Sequence, residues 1–241
     1  MAISRSLLSA GATTTTPPMT TRREVLRLGG VAGAGVIAAA CSVAPHGHAN
    51  RSVTTTSDAS GSIELPSLFD ADPQAQQAAH RLLAIAPSAE ELRIHEQFMQ
   101  LAVDVSGGNA SYPFGAVIVD HMTGEVLGRG VNGSSQSPML HGEAVAINDY
   151  IARHGNQGWN RSTLYSTGEP CAMCCGALAW AGVPRVVWGS SIGAIRKSDI
   201  AQIDICAVEV AARAYEMYTP ELYLGGVLAD VTDKRFATRR R

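Results

Sequence analysis

The sequence has no excess of positive charge, since 19 lysines and arginines stand against 21 aspartates and glutamates. Proteins that bind the phosphate backbone of nucleic acids usually carry such an excess, so we expect no nucleic-acid partner. The one basic segment is the C-terminal end, with Lys234, Arg235 and residues 239–241. We interpret it as a solvated helix end and tail.

Cysteines are too few and too unevenly placed for a disulfide framework. The chain has five, and three of them, Cys171, Cys174 and Cys175, fall within five consecutive positions. An odd number with such clustering is typical of a metal site with additional buried thiols.

Apolar runs long enough for an ordinary membrane-spanning helix are also lacking. Arg22 and Arg23 precede a Gly/Ala-rich stretch at 28–40 that is too short to cross a bilayer. We therefore predict that 1–49 is a twin-arginine signal region and that the twin-arginine machinery exports the protein to the periplasm or the medium. Two interpretations of Cys41 stay open, lipid attachment or release by cleavage nearby, and the residues before it favour release.

Composition and periodicity divide the rest of the chain. Residues 50–75 are rich in Ser, Thr, Ala and Pro and predict a flexible linker, whereas 76–241 predicts one domain. Helical spacing and alternation predict these elements of that domain: helices at 89–105, 140–153, 171–180, 205–217 and 230–238, and strands at 114–119, 125–131, 162–167, 185–188 and 222–224. A hairpin followed by alternating helices and strands favours a three-layer α/β/α sandwich with a mixed five-stranded sheet.

Two short motifs carry the chemistry. His141 and Glu143 begin one predicted helix, and Cys171 and Cys174 begin another. Cysteines three positions apart share a helix face, and a helix N-terminus favours their thiolates, so both sulfurs can bind one ion. With His141 as the third ligand, a tetrahedral Zn²⁺ keeps its fourth position for water, as catalytic zinc sites do. Glu143 is then placed to transfer protons.

A structural zinc clip is the alternative interpretation, and it needs a fourth Cys or His. Cys175 directly follows Cys174 and points about 100° away around the helix. Cys206 and His154 lie far along the chain. Glu143 favours the catalytic interpretation, because a structural site has no use for that carboxylate.

On these motifs, residues 92–240 resemble the cytidine and deoxycytidylate deaminase superfamily, whose signature is His-x-Glu followed by Pro-Cys-x-x-Cys. The chain is most similar to the branch of guanine deaminases and tRNA adenosine deaminases, on 113–119, Asn132 and 169–174. The resemblance implies parallel fourth and fifth strands and a homodimer. It also implies that Asn132 contacts the substrate. Phe114 is a further candidate, to flank the base of the substrate, and a core aromatic residue of the strand is the competing interpretation.

One feature of this branch is hard to match. Guanine deaminases supply a base-reading acid from the region that corresponds to 193–220. Asp199 is our candidate for this substrate contact, and Asp204 is the alternative. For both residues, a surface charge or a helix cap is the competing interpretation.

The resemblance implies hydrolytic deamination of a small purine or pyrimidine, with release of ammonia and Zn²⁺ as cofactor. A purine is favoured, guanine first, and the alternatives are cytosine or cytidine and tRNA adenosine. A tRNA substrate is disfavoured by the predicted export and the negative net charge. The alternative outside enzymes is an exported zinc-binding interaction module, which Glu143 disfavours.

Overall fold

The structure, a computed structural model, describes residues 72–241. The predicted signal region 1–49 and Cys41 lie outside the described residues, as does the predicted linker up to residue 71. In the part of the chain that is described, no helix has both the length and the apolar character needed to cross a bilayer.

The described chain forms seven α-helices and five β-strands. In chain order they are α1 (Pro73–Leu83), α2 (Ala89–Ser106), β1 (Gly115–Asp120), β2 (Val126–Val131), α3 (Gly142–His154), β3 (Ser162–Gly168), α4 (Ala172–Ala181), β4 (Arg185–Ser190), α5 (Ile192–Lys197), α6 (Ala207–Arg213), β5 (Leu222–Leu224) and α7 (Ala229–Ala237). Each predicted strand is therefore present, with bounds shifted by two residues at most.

Helix α1 begins before the domain boundary predicted at residue 76. The Asp72 carboxylate accepts hydrogen bonds from the backbone N–H groups of Gln74 and Ala75, and Pro73 starts the helix. An acidic N-cap followed by proline is a favourable helix start. The end of the predicted linker is therefore helical, and the boundary lies at least three residues earlier than predicted.

The five strands form one sheet in the order β2-β1-β3-β4-β5. Strand β1 pairs antiparallel with both β2 and β3. Strands β3, β4 and β5 are mutually parallel, with Leu164 opposite Val186 and Arg185 opposite Leu222. The predicted mixed sheet and the parallel fourth and fifth strands are confirmed.

Helices cover both faces of this sheet. Side chains alternate along a strand, so Ile118 and Leu164 pack with α1, α3, α4 and α6, whereas Val117, Val119 and Tyr165 pack with α2 on the other face. The three-layer α/β/α sandwich is confirmed. Because β3 and β4 are parallel, their carboxyl ends lie at the same edge of the sheet.

Helix α3 lies so close to β2 that Gly130 has no room for a side chain. A Cβ on Gly130 would collide with the carbonyl oxygen of Gly142 and the backbone nitrogen of Ala146. We expect Gly130→Ala to lower the free energy of unfolding by about 1–3 kcal/mol or more, measured by urea denaturation of the zinc-loaded protein. Gly133→Ala is the control, because a Cβ there would lie 3.4 Å from the nearest atom, Leu140 Cβ. Equal losses in both variants would contradict this close approach.

A polar pair lies inside the α2 layer. Nδ1 of His95 lies 2.9 Å from the hydroxyl of Tyr165 on β3, and both residues are buried. Burial, assisted by the positive charge of Arg185, lowers the pKa of His95. Burial also raises the pKa of Tyr165, so the phenol keeps its proton.

The lowered pKa of His95 predicts a loss of stability in acid. The unfolded chain binds a proton at an ordinary histidine pKa of about 6.5, more tightly than the folded protein does. This contribution to stability is complete above that pH and is lost as the pH falls through the lower pKa of folded His95. We expect His95→Gln to show a flatter decline in unfolding free energy between about pH 7 and 5, measured by urea denaturation. Parallel curves for both proteins would contradict this assignment.

Candidate active site

Two helix N-termini meet near the carboxyl end of β3. His141 is the N-cap residue of α3, Cys171 is the N-cap residue of α4, and Cys174 lies in the first turn of α4. Their ligand atoms lie within 4.8 Å of one another. Nδ1 of His141 is 3.5 Å from Sγ of Cys171 and 3.7 Å from Sγ of Cys174. The structure thus brings the three predicted ligands together.

These distances fit one tetrahedral zinc ion. Zn–S bonds of about 2.3 Å and Zn–N bonds of about 2.0–2.1 Å at a tetrahedral angle separate nitrogen from sulfur by about 3.6 Å. Among the described residues, no fourth His, Cys, Asp or Glu joins this cluster. Cys175 is buried, and its thiol donates instead to the carbonyl oxygen of Pro170 at 3.2 Å. The donor set is therefore that of a catalytic zinc site.

The thiols differ in their readiness to ionise. The hydrogen bond with Cys174, followed by that with His141, lowers the pKa of the Cys171 thiol to about 4. The same contact with Cys171, together with burial, raises the pKa of Cys174. Metal binding requires thiolates, so loading zinc would release the Cys174 proton.

Glu143 lies beside the three-residue cluster and is buried, with 3% of its surface exposed. Oε1 accepts a hydrogen bond from Oγ of Ser166 at 3.1 Å, and Oε2 accepts one from Sγ of Cys174 at 3.6 Å. Burial raises the pKa of this carboxyl. A fixed carboxyl beside the open side of the cluster can accept and return a proton there.

A cavity of about 350 Å³ opens above these residues. Its wall contains parts of both motifs, of the loop before β1, of the loop after β2 and of the loop between α5 and α6; the lining residues are Tyr112, Phe114, Asn132, Ser134, His141, Glu143, Glu169, Cys171, Met173, Ile200, Ala201, Gln202 and Ile203. Such a volume is typical of a small-molecule site. Of the three predicted substrate contacts, Asn132 and Phe114 lie in this wall.

Asn132 presents one half of its amide to the cavity. Its Oδ1 accepts hydrogen bonds from Ser134, at 3.1 Å from the backbone N–H and 2.8 Å from the hydroxyl. The Asn132 backbone is held as well, because its N–H donates to the carbonyl of Phe114 at 2.9 Å and its carbonyl accepts from Asn109. The Nδ2 group of a firmly held side chain is thus the donor that remains for a ligand.

Asp199, the third predicted substrate contact, is not among the residues that line the cavity. Its carboxylate is exposed and pairs with Arg241 at 2.8 Å. The alternative, Asp204, pairs with Arg196 at 2.6 Å and does not line the cavity either. The polar side chain that this loop contributes to the wall belongs to Gln202.

Two buried polar residues that support the site, Ser166 and Glu169, have no role assigned to them in the sequence analysis. Ser166 orients Glu143, but a serine in a strand carries no local signal of such a role. Glu169 is buried, and its two carboxylate oxygens accept the backbone N–H groups of Ile192 at 2.9 Å and Ala207 at 2.8 Å. It thereby fixes the first turns of α5 and α6, between which the loop with Gln202 runs. Its place directly before Pro170 was the only signal.

The comparisons with known proteins agree with this site. A family profile described as the cytidine and deoxycytidylate deaminase zinc-binding region matches residues 92–190, which include all four motif residues. A tRNA-specific adenosine deaminase of Streptococcus pyogenes serotype M18 is 41% identical over 99 residues, 39% of this chain and 61% of that protein. A tRNA-specific adenosine deaminase of Rickettsia felis is 31% identical over 124 residues, 49% of this chain and 78% of that protein. This chain belongs to the cytidine deaminase-like superfamily.

The superfamily also accounts for the fold. A solved guanine deaminase of Nitrosomonas europaea is 18% identical, covers 79% of this chain and 97% of its own, and superposes with a TM-score of 0.50, a likeness of fold alone. The chain spans about three fifths of the length of the streptococcal relatives that it matches. Membership of the cytidine deaminase-like superfamily and zinc as the cofactor, both predicted, are confirmed.

Proposed function

We propose that the protein is a zinc-dependent hydrolytic deaminase of a nucleobase or nucleoside and that it releases ammonia. The observation that carries this proposal is the buried Glu143 carboxylate, which lies next to a cluster of three metal ligands and opens onto a cavity. A structural zinc clip would have a fourth protein ligand and no need for this acid. An interaction module would not need the cavity.

Different residues of the site have different roles in the proposed reaction. His141, Cys171 and Cys174 hold the ion, which when bound lowers the pKa of a water molecule towards about 7. Glu143 would accept one proton from the attacking water and deliver it to a ring nitrogen; it would then carry the second proton of that water to the amino group, which leaves as ammonia while the ring carbonyl forms. Ser166 holds Oε1 of Glu143, so that the carboxylate keeps one orientation through both transfers.

The wall of the cavity favours a planar heterocycle. Nδ2 of Asn132 can donate to a ring nitrogen or carbonyl, and Phe114 offers an aromatic surface. Phe114 is itself held from behind by Phe236, with ring centroids 4.8 Å apart. We propose a purine as the substrate, with guanine first. This choice rests on the resemblance of 113–119 and 169–174 to the branch of guanine deaminases and tRNA adenosine deaminases, and on the negative net charge, which disfavours tRNA.

Two other substrates are carried as alternatives. The streptococcal and rickettsial relatives are tRNA-specific adenosine deaminases, which favours adenosine in tRNA as the second candidate. Cytosine or cytidine is the third, because a probable cytosine deaminase of Schizosaccharomyces pombe is 32% identical over 80 residues. The negative net charge disfavours tRNA.

A substrate panel tests the proposal. The zinc-loaded protein is incubated with guanine, adenine, cytosine, their nucleosides and a tRNA anticodon stem-loop, and ammonia and product are measured. We expect release from a purine base or nucleoside and none from the stem-loop. Activity on the stem-loop alone would favour tRNA editing, and inactivity on every substrate would favour the interaction module.

Export by the twin-arginine route is a further proposal, supported by Arg22, Arg23 and the Gly/Ala-rich stretch at 28–40. The route carries folded proteins, so zinc could be loaded before the protein leaves the reducing cytoplasm. In a bacterium with this translocase, we expect Arg22→Lys/Arg23→Lys to retain the protein in the cytoplasm. Unchanged fractionation would contradict export by this route.

The resemblance also implies a homodimer, and we propose this state. Trp180 on α4 is 81% exposed, which is unusual for so large an apolar side chain and suits a contact with a second copy. Sedimentation of the zinc-loaded protein is expected to give a dimer that Trp180→Glu weakens. A monomer at all concentrations would contradict the proposal.

A further inference from the structure

The end of the chain runs behind two walls of the cavity mouth. The first wall carries Tyr112, in the loop between α2 and β1. The second wall is the stretch 200–203, in the loop between α5 and α6. Helix α7 ends at Ala237, and Arg239 follows it by two positions. These two loops are far apart in sequence, so the connection along the chain does not fix the distance between them.

The Arg239 side chain contacts both loops. Its guanidinium makes four hydrogen bonds with backbone carbonyl oxygens: Nη1 donates to Ser111 at 3.4 Å, Nη2 to Asp199 at 3.2 Å, and both Nη2 and Nε to Ser198 at 3.4 Å. Its guanidinium carbon also lies 5.7 Å from the centre of the Tyr112 ring. Arg239 thus joins the two walls.

The expectation that the basic end is a solvated tail is therefore wrong for part of it. Besides Arg239, Arg235 is bound, since its Nη1 donates to the carbonyl of Val103 at 2.8 Å. The Arg240 backbone N–H donates to the carbonyl of Ala110 at 2.9 Å, but its side chain is exposed and makes no hydrogen bond or ion pair with another described residue. The adjacent side chains of Arg239 and Arg240 thus differ, because only that of Arg239 binds the two loops.

The backbone is strained at Asp199, the residue directly before the second wall, so contacts that hold this residue also support the wall. Asp199 has a φ of 58°, in the left-handed region that residues with a Cβ disfavour. Nη2 of Arg239 binds the Asp199 carbonyl, and Arg241 binds its carboxylate. Behind the same wall, Phe236 of α7 packs against Ile200.

We propose that Arg239 is a positioning residue that fixes the two loops of the cavity mouth relative to each other. The five N–H donors of a planar guanidinium are spread over a rigid fork that reaches three diverging carbonyls, whereas the three donors of a lysine ammonium all leave from one nitrogen atom. The consequence for substrate rests on the proposed function: with both loops already held, less conformational freedom is lost on binding, so KM is lower than with free loops. The fixing of the loops does not depend on that function.

Hydrogen–deuterium exchange of the zinc-loaded protein tests the fixing directly. We expect Arg239→Ala to raise exchange about tenfold or more in peptides that cover 109–114 and 198–206, with β3 and α4 unchanged. Arg239→Lys should fall between this variant and the wild type. Arg240→Ala removes the same charge from the next position and should leave exchange unchanged. Unaltered exchange in Arg239→Ala, or an equal rise in Arg240→Ala, would overturn the proposal.

Kinetics on whichever panel substrate is turned over test the consequence for binding. We expect Arg239→Ala to raise KM about tenfold while kcat and zinc content change less than about twofold. A fall in kcat at constant KM would overturn a positioning role in binding. A wild-type protein inactive on the whole panel would contradict the proposed function instead, and the exchange experiment would still decide whether Arg239 fixes the loops.

Discussion

Glu143→Gln is expected to reduce kcat by about 10³-fold while one zinc ion per chain is retained. The amide has nearly the shape of the carboxyl and can still meet the Ser166 hydroxyl at 3.1 Å. It cannot accept and return a proton, so both proton transfers lose their carrier. The measurement is the rate of ammonia release on the best panel substrate, with zinc determined on the same sample.

Ser166→Ala provides the graded comparison for this prediction. It leaves the Glu143 carboxyl in place but removes one hydrogen bond from Oε1, so we expect a loss of about tenfold. Rates within twofold of the wild type for Glu143→Gln would contradict the role assigned to this acid. Loss of zinc from Glu143→Gln would make it a structural support of the metal site rather than a proton carrier.

Cys171→Ala is expected to abolish stable zinc binding and, with it, activity. This variant keeps two of the three metal ligands, His141 and Cys174. It loses the sulfur of Cys171, whose pKa is lowered to about 4, and no other described residue of the cluster can take its place. Binding free energy in a zinc site also stabilises the fold, so the melting temperature should fall as well. Elemental analysis after dialysis against a mild chelator measures the metal, and scanning calorimetry measures the stability.

Cys175→Ala is the matched control for the loss of a thiol from α4. Its sulfur is as buried as that of Cys174, but it bonds to the Pro170 carbonyl and not to the cluster. We expect zinc content and activity close to the wild-type values. If Cys175→Ala lost zinc as fully as Cys171→Ala, the assignment of ligands would have to include Cys175.

The order of elements could be predicted because local patterns carry it. Alternation and helical spacing give all five strands and the helices α2, α3, α4, α6 and α7, and glycines directly follow α2, α3 and α4. Gly182, for example, ends α4 with a φ of 71°. The zinc ligands could be predicted from the sequence for the same reason, since Cys171 and Cys174 lie in one helical turn and Glu143 follows His141 by two positions.

The failures of prediction share one cause, contacts between distant parts of the chain. Helix α1 is held by burial of Ala75 and Ala79, which its polar composition hides. Asp199 was chosen for its charge, but the chain turns it outwards to Arg241, 42 residues away. The Arg239 bond to Ser111 spans 128 residues, so the basic end was interpreted as a tail. No local pattern encodes such pairings.

A crystal structure of the zinc-loaded protein, with anomalous data at the zinc edge, is the most direct test of the proposed catalytic zinc site. We expect one zinc ion bound by Nδ1 of His141 and the sulfurs of Cys171 and Cys174, with a solvent molecule as fourth ligand within hydrogen-bonding reach of Glu143. A fourth protein side chain on the ion, or no zinc at these residues, would contradict it.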